Sequence, residues 1–317
     1  MKKIQPDVFL LSKKDIKLPV RTNLDAHKGC YGHTTVFAGE KSGAAILAAT
    51  AALNFGSGLT TVYACESSNL ANFQISPELM ISREIPAKTN CIVIGSGISK
   101  LSDSDFQKFS LWFNSAKAPA VVFDAGMFSM REFPRLLNEL NQNPDARIVL
   151  TPHLLEFSRF LENIKKSDIT KTSGAVCKTS SNAPEGKLYV TENTINASNA
   201  LEPYTLETLV NSEEARIQTG RFINQLFPRT AVIIKSSGTF IATQNKTFIC
   251  RSKNPALAKG GTGDVLTGLT AAILAQNYSL SDACITAVLT HSLAARKFPH
   301  ANYALTPLKL IDLVGRL

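Results

Sequence analysis

Residues 254–268 read NPALAKGGTGDVLTG, with four glycines and one aspartate set between a proline turn and a run of helical character. Gly260, Gly261 and Gly263 permit positive φ and close approach, so consecutive backbone N–H groups can converge on a phosphoryl group. A helix opening at Asp264 adds the positive end of its dipole to that nest. An acidic side chain there is favourable for capping alone. It is also placed to take a proton from a hydroxyl attacking the bound phosphoryl group. In a parallel α/β sheet such an arrangement lies beyond the carboxyl ends of the strands. The chain has no GxxxxGK[ST] loop, and neither GSGLTT (56–61) nor GSGISK (95–100) completes GxGxxG.

The flanking sequence supplies that sheet. LTTVYA (59–64), CIVIG (91–95), AVVFDA (120–125), RIVLTP (147–152) and AVIIKS (231–236) are short, nearly continuous apolar runs, as expected for strands buried on both faces. Between them, GAAILAATAALNFG (43–56) predicts a helix closed by Gly56. DSDFQKFSLWFNSA (103–116) predicts another, with positions 106, 109, 112 and 113 on one face. Strand and helix in alternation imply right-handed crossovers and a doubly wound α/β fold. TFIATQNKTFICRSK (239–253) predicts a hairpin, and helices follow from Asp264, Ser281 and Thr306. We expect one domain over 1–317, with residues 1–25 as a lead-in. The Ser-, Thr- and Asn-rich stretch 165–207 is expected as an inserted surface excursion, with a small hairpin around KLYVTEN.

Composition narrows the class. The 317 residues are 44% apolar and 19% charged, ordinary for a globular protein. No apolar run approaches the roughly 18 residues of a membrane span, and the N-terminus lacks a signal-peptide pattern, so the expectation is a cytoplasmic protein with no membrane partner. Cysteines 30, 65, 91, 177, 250 and 284 are scattered without a CxxC pair, which favours reduced thiols. HKGCYGH spaces His27, Cys30 and His33 as three zinc ligands would be, but offers no fourth and reads as a loop. The net charge of +9 is spread along the chain without a nucleic-acid motif. It suits a phosphorylated small substrate rather than nucleic acid.

Several stretches in order along residues 27–276 carry a resemblance: HKGCYGHTTVFAGEKSGAAILAATAALNFGSGLTTV, SPELM, CIVIGSGIS, VVFDAGMF, VLTPHLLEF, VIIKSSGTFIA and NPALAKGGTGDVLTGLTAAILAQ. GGTGD with a helix behind it resembles the anion hole and catalytic base of the ribokinase-like fold, a mostly parallel central sheet flanked by helices on both faces. The whole set resembles the ADP/ATP-dependent NAD(P)H-hydrate dehydratases. That resemblance implies an enzyme, a hydro-lyase, that uses ADP or ATP with Mg2+ to phosphorylate the 6-hydroxyl of the S form of hydrated NADH or NADPH. Phosphate is then eliminated and the reduced cofactor restored, with release of AMP or ADP.

Carried over motif by motif, the resemblance makes Asp264 the base and Gly260, Gly261, Thr262 and Gly263 the anion hole. Lys235, Ser236, Ser237, Gly238 and Thr239, with Gly263, would bind the nucleotide. Ala44, Gly95, Gly97 and His153, with Asp264, would touch the hydrated cofactor. Asp124 and Glu156 would organise a metal ion or water, and the protein would be a homo-oligomer, a tetramer by family resemblance. The chain departs from the family on the substrate side: TPHPGE is TPHLLE here, DADALN is DAGMFS, and GPGLG is GSGIS, so that Ser99 replaces a glycine and is expected to narrow the cleft. Many members carry an N-terminal epimerase domain, and the residues before His27 are too few to form one. The competing reading is a ribokinase-like kinase of a small hydroxymethyl vitamin precursor, using the same nest and base.

Overall fold

A computed structural model describes residues 1–167, 169, 176–178, 189–191, 201–244 and 246–317. Its centre is an 11-stranded sheet. The strands are β1 (Lys2–Gln5), β2 (Val8–Leu10), β3 (His33–Ala38), β4 (Leu59–Ala64), β5 (Met80–Ser82), β6 (Cys91–Ile94), β7 (Ala120–Phe123) and β8 (Arg147–Leu150). A separate pair, β9 (Val176–Lys178) and β10 (Tyr189–Thr191), precedes β11 (Thr230–Ile234), β12 (Thr239–Thr243) and β13 (Lys246–Cys250). The order across the sheet is β1-β2-β13-β12-β11-β8-β7-β6-β3-β4-β5. Strands β11 through β5 in that order run parallel, and β12 is antiparallel to both its neighbours.

Each central strand is apolar along its whole length because both faces are covered. In β6, Cys91 and Val93 join the core beneath α1 (Ser42–Asn54), α7 (Thr262–Ala275), α8 (Leu280–Arg296) and α9 (Pro307–Val314). Ile92 and Ile94 join the opposite core, beneath α2 (Asp103–Ser115), α3 (Phe133–Leu140), α4 (Leu154–Lys166), α5 (Leu206–Asn211) and α6 (Glu213–Leu226). Side chains of a strand alternate between faces, so one four-residue run feeds both cores. Burying an aliphatic or aromatic side chain is worth roughly 1.5–3 kcal/mol. On the second face, Phe123, Phe128, Phe133 and Phe160 pack edge to face or tilted at 5.0–6.0 Å. Such pairs add about 0.5–1.5 kcal/mol beyond area. Phe128 thereby anchors the turn Ala125–Ser129, which leaves β7 and floors the site described below.

The expected strands, the two early helices, the β12–β13 hairpin and the three late helices are present. Phe106, expected on the apolar face of α2, is 37% exposed, whereas Phe109, Trp112 and Phe113 are buried. Residues 1–25 are more than a lead-in. β2 pairs in parallel with β13, and Leu11 N donates to Ile249 O at 2.9 Å. The excursion at 165–207 begins only after α4 ends at Lys166. Within it β9 and β10 form a two-stranded antiparallel sheet, and most of the remainder lies outside the described residues. β3 neighbours β4 on one side and β6 on the other, so the chain reverses its direction of winding there. The crevice above such a reversal is where ligands bind in this class of sheet.

Candidate active site

The glycine stretch sits where the sequence places it, with one change in detail. Helix α7 begins at Thr262, and Gly261 is its N-cap, at φ 91°. Of the three nest glycines, only Gly261 has positive φ. A Cβ on Gly261 would stand 2.7 Å from Pro307 Cγ and 2.8 Å from Leu47 Cδ1, so the residue is required by the fold as well as by any ligand. A Cβ on Gly260 would meet nothing within 4 Å. That glycine faces open space, as a surface meant for an incoming group should. The Thr262 hydroxyl is turned back, donating to Leu257 O and Lys259 O at 2.8 Å each, so only its backbone is left for an anion. Buried His291 on α8 holds the Thr262 carbonyl from Nε2 at 2.9 Å.

Asp264, in the first turn of α7, lines a cavity of about 440 Å³ with Ala44, Gly95 and Gly97. Glu40, Lys41, Ser99 and the turn from Ala125 complete most of the wall. These segments leave the ends of β3, β6 and β7, so the cavity lies at the reversal point of the sheet. Three of the four expected substrate contacts besides Asp264 are therefore gathered. His153 is not among the lining residues. It caps α4: its Nδ1 accepts from Glu156 N at 3.2 Å while its own N–H donates to Glu156 Oε2 at 2.9 Å. Its Nε2 lies 3.1 Å from Glu156 Oε1.

The electrostatics centre on an ion pair in which the carboxylate is buried and the cation partly so. Lys235, at the end of β11, donates to Asp124 Oδ1 at 2.9 Å. Asp124 is 2% exposed and also accepts from Thr151 at 2.8 Å, Thr267 at 3.1 Å and Ser96 at 3.4 Å. Burial alone would lower the Lys235 pKa, but Asp124, with Glu156 and Asp264, holds it above its ordinary value. Burial, and then the like charge of Asp124, push the Asp264 carboxyl up to about 7, against a hydrogen bond from Ser96 and the Lys235 cation. Ser96 was not singled out in the sequence. Its position between Gly95 and Gly97 was the available signal, since a small hydroxyl between two positive-φ glycines reaches both carboxylates.

Asp124 and Glu156 do not fit a resident cation. The first is saturated by four internal donors and the second is committed to its cap. No group of three His, Cys, Asp or Glu among the described residues is disposed to hold a metal ion. His27 caps the turn that carries Cys30, and His33 is buried against Thr61 at 2.8 Å, so the HKGCYGH loop gathers no ligand set. Of the expected nucleotide-binding residues, Ser236–Gly238 form the turn between β11 and β12, where the Ser236 hydroxyl donates to Gly238 O. Gly263 sits against Lys235 Nζ, 3.4 Å from a Cβ built on it. The turn and the nest thus share one cation. No helix among the described residues is long and apolar enough to cross a membrane.

Comparison with known proteins matches residues 34–185 and 175–316 to the family described as NAD(P)H-hydrate dehydratase. The chain is 35% identical over 314 residues to a bifunctional NAD(P)H-hydrate repair enzyme Nnr of Helicobacter pylori, covering 99% of this chain and 56% of that relative. It thus spans little more than half of that protein. It is 25% identical over 309 residues to an ADP-dependent (S)-NAD(P)H-hydrate dehydratase of Lactiplantibacillus plantarum, covering 94% of this chain and 90% of that one. A ribokinase-like protein of Enterococcus faecalis has a solved structure that superimposes with a TM-score of 0.65 at 20% identity, over 100% of this chain and 97% of the other. The fold is therefore ribokinase-like.

Proposed function

This chain belongs to the NAD(P)H-hydrate dehydratase family, and from that premise we propose that it repairs hydrated NADH or NADPH by nucleotide-dependent dehydration. The observation that carries the reading is Asp264: a carboxyl held at about 7, beside an open glycine nest, in a cavity at the winding reversal. A general base works best when its pKa lies near the working pH, and burial beside a second carboxylate is the usual means of raising one.

Asp264 takes the proton of the ring 6-hydroxyl as the oxygen attacks the terminal phosphoryl of the nucleotide. The bond from that phosphorus to the departing nucleotide breaks. The backbone N–H groups from Gly260 to Gly263 receive the transferred charge, and Lys235 adds a cation at the same edge. The phosphate then leaves carbon 6 with the C–O electrons, carbon 5 loses its proton, and a ring double bond forms between them. Phosphorylation is needed because hydroxide is a poor leaving group.

A second cavity of about 510 Å³ supports a nucleotide site. It lies between the start of the chain, residues 251–253 and α8, and is bordered by Lys13, Arg251, Lys253 and Arg296. We assign it the base and ribose of ADP, by likeness to the ADP-dependent relative. Mg2+ enters as the counter-ion of the nucleotide phosphates, since no cluster of His, Cys, Asp and Glu among the described residues is disposed to hold it. A reducing, cytoplasmic setting agrees with five unpaired cysteines, four of them buried, among the described residues. A homo-oligomer is part of the same proposal, and light scattering tests it. The deciding experiment incubates hydrated NADH with the protein, Mg2+ and ADP or ATP. Return of the dihydronicotinamide absorbance supports the reading. Consumption of ATP with a hydroxymethyl vitamin precursor, and no such return, replaces it with the kinase.

A further inference from the structure

The charged residues lining the Asp264 cavity are Glu40, Lys41 and Asp264 itself, so Lys41 is its one lining cation among the described residues. The remaining wall is built from glycine, alanine, serine and isoleucine, small groups suited to a flat ring and unsuited to a negative charge. Lys41 is not spent elsewhere, since it has no ion-pair partner among the described residues. Its acidic neighbour is otherwise engaged. Glu40 Oε1 accepts from Ser99 Oγ at 2.7 Å and Oε2 from Ser99 N at 3.1 Å. Lys41 N donates to Gly97 O at 3.0 Å, and a Cβ on Gly97 would stand 2.3 Å from Lys41 O. The loop after β3 is thereby clamped to the loop after β6. The backbone of Lys41 is fixed while its side chain stays exposed at the mouth of the cavity.

A hydrated nicotinamide dinucleotide whose ring hydroxyl meets Asp264 must lay its diphosphate along the remaining wall. We infer that Lys41, held by the Glu40–Ser99 clamp, binds the diphosphate of the dinucleotide and so sets the preference for dinucleotides over phosphate-free substrates. The inference rests on the dehydratase reading of the same cavity. It adds a specificity residue that is distinct from the cations assigned to the nucleotide, which line a different cavity.

The test measures KM and kcat for hydrated NADH, and for the hydrated dihydronicotinamide riboside that lacks phosphate. Calorimetric binding of NADPH is measured alongside. Lys41→Met should raise KM for the dinucleotide roughly 10- to 100-fold, the scale of a hydrogen bond to a charged group. It should leave kcat, KM for ADP and KM for the riboside unchanged. Glu40→Gln can hold Ser99 with its oxygen accepting from Ser99 N and its amide N–H donating to Ser99 Oγ, and it removes a repelling charge, so KM for the dinucleotide should fall. A merely structural clamp would not move the two variants in opposite directions. Equal KM and equal NADPH binding in wild type and Lys41→Met overturn the inference while the repair reaction stands. Loss of NADPH binding in Lys41→Met, with no repair by the wild type, keeps the phosphate site and overturns the reaction. A wild type that neither binds NADPH nor repairs the hydrate overturns both.

Discussion

Replacing Asp264 by asparagine tests stability and catalysis with one substitution. The carboxyl is raised from 3.8 to about 7 in the folded protein, chiefly by burial and then by Asp124. A raised pKa means that the protonated acid is the form the fold prefers. Stability from that preference is complete below pH 4 and is lost as pH climbs through 7. Three units at 1.36 kcal/mol each put the cost of ionising Asp264 at about 4 kcal/mol by pH 8. Asparagine carries no such cost. With an unfolding entropy of about 2.1 cal/mol/K per residue over this chain, the Asp264→Asn protein should melt roughly 6 °C above wild type at pH 8, and level with it near pH 4. Turnover should fall by about 10² to 10⁴ at pH 8, where the base is ionised, and by progressively less as pH drops below 7. Melting curves at half-unit steps from pH 4 to 9, with single-turnover assays beside them, read both effects. Parallel pH profiles for the two proteins would mean that the carboxyl is not held near 7, and would remove the basis for calling it the base.

Wild-type kcat/KM for the hydrate should rise tenfold per pH unit below about 7 and then level, and a flat profile from pH 5 to 8 would contradict that. Lys235→Met leaves buried Asp124 without its cation, which should cost about 3–5 kcal/mol in a denaturant titration and carry the pH–rate limb above 7. An unmoved limb would separate Lys235 from Asp264. Gly260→Val should melt like wild type, because its Cβ meets nothing, yet lose nucleotide-dependent turnover. Gly261→Val should lower the melting temperature as well, through contact with Pro307 and Leu47 and the strained φ. An active Gly260→Val would show that phosphate does not approach there. Added salt should slow the repair reaction, since steering of polyanions by a +9 chain is screened beyond about 8 Å at 0.15 M.

How legible the protein was depended on which physical signal each part carries. Four of the five strands recognised from sequence are nearly continuous apolar runs and the fifth, LTTVYA, opens on leucine, whereas β3, HTTVFA, carries the same two threonines behind a histidine and is not among them. Its hydroxyls are buried and paired, Thr34 with Ser57 at 2.7 Å and Thr35 with Thr89 at 2.8 Å, so a fully internal strand wears a half-polar sequence. β2 was missed because its partner lies more than 230 positions away, and no local pattern encodes that pairing. The nest and Asp264 were legible because glycine and a first-turn acid mean the same thing wherever they occur. The Asp124–Lys235 pair spans 111 positions, and the capping role of His153 depends on a turn geometry that TPHLLE does not announce. Likewise, the hydrogen bonds that engage Asp124 and Glu156 join residues far apart or depend on a cap, and show only in three dimensions.

The parallel pairing of β2 with β13 also orders events on the ribosome. At about 5–20 residues per second, some 12–50 s separate the synthesis of Leu10 from that of Cys250. For that time Val8 and Phe9 can pair only with β1, although Val8 ends fully buried and Phe9 stacks on Phe248 at 5.5 Å. The nascent chain therefore carries the β1–β2 pair with one edge open until β13 is made. Such an edge invites capture by a chaperone, or pairing with the same strand of a neighbouring chain on the polysome. Lys13 and Ile16, which follow this strand, line the second cavity, so the proposed nucleotide site is among the last parts of the molecule to close.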